Sequence, residues 1–110
     1  MDDYAKEISD LQREVDRLVE AKGDPQEIAD LELQIRVLRA IYEQATSLFE
    51  RGDEDADLRR RLRMRGYGDW SLDNVYAFVY ETAVELPEPE PRAFVKDITQ
   101  TDFAGLLVAT

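Results

Sequence analysis

Glu81 and Glu85 stand one helical turn apart, the spacing at which two carboxylates can share a proton or hold half of a metal site. A full site needs ligands from a second segment, and no matching Glu-x-x-His sequence supplies them, so the pair reads as a solvated helix face. Asp53, Asp55 and Asp57 alternate as the opening of an EF-hand calcium loop does. The glycine position of such a loop falls on Leu58 and its closing glutamate position on Met64, which leaves a charged helix start. Gly66-x-Gly68 lacks the third glycine and the preceding strand of a dinucleotide loop, and reads as a turn. Cysteine and histidine are both absent. With no thiolate, no imidazole and no nucleophile, base and orienter to assemble, the sequence predicts a protein that is not an enzyme and uses no metal or cofactor.

Five arginines between Arg59 and Arg65 form the strongest local departure from an acidic background. Pointing several ways around a helix, they can meet carboxylates, phosphates or aromatic faces. Tyr67 and Trp70 follow closely and could stack on bases. Internal or inter-subunit ion pairing is the plainer reading, because acid surrounds them. Trp70, Tyr76, Phe78 and Tyr80 read as core or interface anchors rather than a ligand groove.

The whole chain of 110 residues carries a net charge of −11. Such a field repels phosphates, which argues against a general nucleic-acid or anionic-membrane binder and favours a basic partner, unless the acid serves only solubility. The acidic opening Met1-Asp2-Asp3-Tyr4 does not resemble a signal peptide, and no stretch reaches membrane-spanning length. The expectation is a cytoplasmic protein, or a component of a particle assembled there.

Helices must position these groups. From about Asp3 to Lys22, Tyr4, Ile8, Leu11, Val15 and Leu18 make one heptad stripe. Gly23 stops that helix, Asp24 caps the next, Pro25 takes its first position, Glu27 completes a capping box and Gly52 ends it. This second helix is apolar on two sides. Ile28, Leu31, Ile35, Leu38, Tyr42, Ala45 and Phe49 form one seam, while Leu33, Val37, Ile41 and Leu48 lie off it. So short a connection predicts an antiparallel hairpin pairing Leu18 with Ile28, Val15 with Leu31, Leu11 with Ile35, Ile8 with Leu38 and Tyr4 with Tyr42. Ala45, Leu48 and Phe49 extend beyond the first helix and need other cover. A short helix with Leu58 and Leu62 follows, then a helix to about Leu86 that covers the second face.

The fold class predicted is therefore all-α: a long antiparallel helical hairpin, two shorter helices packed on it, and an extended C-terminal arm. Residues 1–86 form the helical domain, 87–91 a Pro/Glu spacer and 92–110 a docking arm. Within the arm Ala93 to Ile98 alternates as a strand or extended peptide does, and Thr101 caps a last turn. The predicted function is protein–protein interaction or assembly, as a homo-oligomer or with a protein partner. It is assigned to Phe94, Val95, Ile98, Phe103, Leu106 and Leu107 of the arm, Leu48 and Phe49 of the hairpin end, and Arg59, Arg60 and Arg63. Folding of the arm back onto its own chain is the competing account. An acidic inhibitor that mimics nucleic acid toward a basic enzyme is the second functional reading, and a small regulator touching nucleic acid through Arg59 to Arg65 the third.

Overall fold

A computed structural model describes residues 2–85 and 91–109, with side chains from 5 to 85 and from 95 to 109. Every regular element among the described residues is an α-helix: α1 (Asp2–Glu20), α2 (Pro25–Gly52), α3 (Ala56–Met64), α4 (Leu72–Ala83), α5 (Pro91–Gln100) and α6 (Phe103–Val108). The chain divides into two compact units, Met1–Arg39 and Ala40–Thr110.

In the first unit the predicted seam is graded. Val15, Leu18, Ile35 and Leu38 are buried, whereas Ile8, Leu11, Ile28 and Leu31 are half-buried. Tyr4, expected to face Tyr42, has its side chain outside the described residues. The connection closes as a helix-terminal motif: the Lys22 amide donates to the Val19 carbonyl at 3.2 Å and the Gly23 amide to that of Leu18 at 2.8 Å. Lys22, rather than Gly23, takes the left-handed conformation, with φ 55°. Gly23 serves by size instead, since a Cβ there would stand 3.0 Å from Leu18 Cδ2. Asp24 caps α2 as expected, its carboxylate accepting from the Gln26 amide at 3.1 Å.

The second unit begins with Ala40–Gly52 of α2 and holds α3 to α6. Ile41, Ala45 and Leu48 are buried here with Val75, Tyr76, Phe78, Val79 and Ala83 of α4. The Tyr42 and Tyr76 rings lie 6.4 Å apart, so α4 runs beside α2. α3 buries the two expected residues, Leu58 and Leu62. Gly66 ends it at φ +86°, a region that only glycine enters without steric cost, and the Tyr67 amide reaches back to the Leu62 carbonyl at 3.3 Å. α4 stops at Ala83, three residues before the predicted end, and Leu86 lies outside the described residues.

Two expectations are corrected. Four helices, not two, follow the long pair, and the segment expected to be strand-like or extended is helical over Pro91–Gln100. The alternation was ambiguous, because Phe94, Val95 and Ile98 also share one face at helical spacing. Pro91 opens the helix at the position where a missing amide costs nothing. Asp102, not Thr101, caps α6 by accepting from the Gly105 amide at 3.2 Å. The remainder of the predicted spacer, 87–90, lies outside the described residues.

Candidate interaction surfaces

The arginine helix is mostly occupied within its own unit. Arg59 donates to the carbonyls of Gly52 at 3.0 Å and Asp53 at 2.8 Å. A cation thereby meets the negative end of α2. Arg60 bonds Asp57 at 2.5 Å, and Arg61 stands 3.7 Å from the same carboxylate. The hydrogen bond from Arg60 is the main reason the Asp57 carboxyl is held below its usual range, with the nearby Arg61 charge adding to it. Arg65 donates to the Leu106 carbonyl at 2.6 Å and to that of Ala109, and its guanidinium lies 5.5 Å from the Phe78 ring centre. The Arg63 side chain is exposed and makes no hydrogen bond or ion pair among the described residues.

The acid groups that suggested chemistry are used locally. Asp55 caps α3, accepting from the amides of Asp57 and Leu58. Glu81 accepts the Tyr67 hydroxyl at 2.6 Å. Burial, and then that hydrogen bond to Glu81, push the Tyr67 phenol up to about 12. Among the described residues no group of three or more Asp or Glu side chains is placed to hold a metal ion.

Trp70 is engaged as well. Its indole N–H donates to the Phe49 carbonyl at 3.1 Å, and its ring stacks on Phe49 at 6.4 Å and 9°. Gly52 permits this, since a Cβ there would fall 2.0 Å from the indole. This explains why Gly52, predicted as a stop, sits buried in the last turn of α2. Phe49, under the Trp70 ring, is half-buried, and Leu48 is buried.

Of the predicted tail contacts, Ile98, Phe103 and Leu107 are buried, Val95 is half-buried and Leu106 is exposed. The Phe94 side chain lies outside the described residues. Polar contacts hold α5 and α6 as well: Gln44 donates to the Thr99 carbonyl at 3.1 Å, and Arg51 stands 3.7 Å from Asp102. α3 packs directly on α6.

Val19 and Met64 are among the exposed apolar side chains that were not singled out from sequence. Met64 is 67% and Val19 56% exposed, the highest values among the large hydrophobic side chains of the described residues. Each lies off the apolar stripe of its own helix, and that offset was the available signal. Met64 shares an α3 edge with exposed Arg60 and Arg63, while Val19 shares an α1 edge with exposed Asp16 and Glu20. Comparison with protein families, curated proteins and solved structures finds no match to this chain. Among the described residues no helix is long and apolar enough to cross a membrane.

Proposed function

We propose that this chain is a non-catalytic helical interaction protein, an adaptor or assembly component that binds through helix edges. In this reading α1 and the first half of α2 are an antiparallel hairpin. The tight closure at Gly23 and the burial of Val15, Leu18, Ile35 and Leu38 support that arrangement. The carrying observation is where apolar surface remains open. Val19 and Met64 stand exposed among charged side chains, whereas Ile98, Phe103, Leu107 and Leu48 are buried within the chain itself. Docking by the tail would require withdrawing side chains that each contribute about 1.5–3 kcal/mol where they lie. The edges carry no such cost, so the binding role passes to them.

Substitution of Val19 or Met64 by Glu tests the reading. With the fold checked by circular dichroism, association measured by light scattering and capture of protein from the native host are both expected to weaken. If neither substitution alters either readout, or if the unmodified chain shows no association and captures nothing, the reading fails.

The acidic-inhibitor reading is favoured by a different observation: no charged side chain is buried among the described residues, so the acid they carry is presented outward. It predicts a monomer at every concentration that binds a basic nucleic-acid-binding enzyme and is displaced by duplex DNA.

A further inference from the structure

Resting on the interaction reading above, we infer that the occupant of the α3 edge is a second copy of this chain, which presents the α1 edge. The two edges are complementary in type and spacing. On α1, Asp16, Val19 and Glu20 place an exposed apolar group beside two carboxylates; on α3, Arg60, Arg63 and Met64 place one beside two guanidiniums. Both triplets follow the i, i+3, i+4 spacing that puts three side chains on one helix face. Glu20 and Arg63 are the clearest pair, because neither makes an ion pair among the described residues. Asp16 is engaged only by the Gln12 amide at 3.2 Å, and Arg60 only by Asp57. Val19 against Met64 would remove from water the two most exposed large apolar side chains.

Beside that edge, Arg65 holds the end of α6 through the Leu106 and Ala109 carbonyls, and Leu106 and Val108 of α6 are exposed, at 37% and 39%. An acidic helix with an apolar anchor fits such a surface, and α1 of another copy is one.

Charge decides whether copies can approach. Each carries −11 overall, which opposes association. That repulsion is screened beyond about 8 Å at physiological ionic strength, whereas opposite charges in contact are screened far less. The local pairing therefore outweighs the distant field once salt is present. Because a patch on one copy meets a different patch on the next, the contact is heterologous and propagates head to tail. One edge on one edge buries less than the roughly 1,200 Å² of a stable complex, so the association is weak and depends on concentration.

Sedimentation velocity of the full chain, from micromolar to millimolar concentration at physiological salt, tests this. The average mass is expected to rise with concentration. Arg63→Glu and Glu20→Arg should each weaken association about tenfold, the equivalent of about 1.4 kcal/mol. The double variant, with the charges exchanged, should recover most of the loss. Both positions are exposed, and unchanged circular dichroism confirms that the variants fold. A constant monomer mass, an association indifferent to either reversal, or a double variant no better than the singles overturns the inference. The two proposals fail differently: a monomeric chain that captures a foreign protein through Met64 removes self-docking and leaves the interaction reading intact. A chain that does neither removes both.

Discussion

The two units of this protein are held by different means. In residues 1–39 the apolar seam is only partly closed, with Ile8, Leu11, Ile28 and Leu31 half-buried. The ion pairs there are between near neighbours on one helix, Arg13 with Asp10 and Arg17 with Glu14. In residues 40–110, Leu62, Val75, Val79, Ile98 and Leu107 are at 0% exposure, and polar contacts join distant segments, from Arg65 to Leu106 and from Gln44 to Thr99. Neighbour pairs on exposed helix contribute about 0.2–0.5 kcal/mol, whereas a fully enclosed apolar side chain contributes several times that. Stability should therefore be concentrated in the second unit, and the first left more tolerant of change.

Equivalent truncations in the two units give the largest test of that contrast. Leu107→Ala is expected to cost about 2–5 kcal/mol, since the site is sealed, and Leu11→Ala markedly less. Urea denaturation followed by circular dichroism measures both, and equal losses would break the comparison. Gly52→Ala comes next. A methyl placed 2.0 Å from the Trp70 indole must displace that ring, for a loss of about 1–3 kcal/mol. Trp70→Leu made in the same chain should shrink the penalty, and strict additivity of the two substitutions would show that they do not meet.

The alkaline limb of stability sharpens the picture of the second unit. Tyr67 has its pKa raised from an unfolded value near 10 to about 12 in the fold. For an acid whose neutral form is favoured by folding, the contribution is complete below pH 10 and is lost as pH rises toward 12. Unfolding free energy should fall across that interval, and Tyr67→Phe should flatten the fall. A phenol absorbance titration showing all tyrosines ionising near pH 10 would contradict the half-buried, Glu81-bonded hydroxyl. The smallest effect belongs to the first unit: Lys22→Gly, relieving a left-handed lysine, should raise stability by up to about 1 kcal/mol. Thermal melting resolves a gain of that size.

Much of the helical order was legible in local patterns. The boundaries of α2 followed from Asp24, Pro25 and the seam that begins at Ile28, and α3 from an acid start and a glycine stop. The interaction residues were far less legible. Ile98, Phe103 and Leu107 were picked out as apolar, yet periodicity does not say whether an apolar stripe faces its own chain or another. Phe94, Val95 and Ile98 fit a strand and a helix alike, and the structure has the helix, opened by Pro91 and with Ile98 buried.

By itself, then, the sequence determined a mostly helical chain with an acidic composition and the apolar stripes of its longer helices. Local physics suffices for that, because caps, glycine stops and the 3.6-residue period act within a few positions. Tertiary structure decided what the unusual residues are for. Arg59 and Arg65 became clasps on the ends of α2 and α6, Gly52 became the floor under Trp70, and Ile98, Phe103 and Leu107 of the tail became buried. Most of these depend on groups distant in sequence meeting within a few ångströms, and a one-dimensional pattern carries no record of such distances.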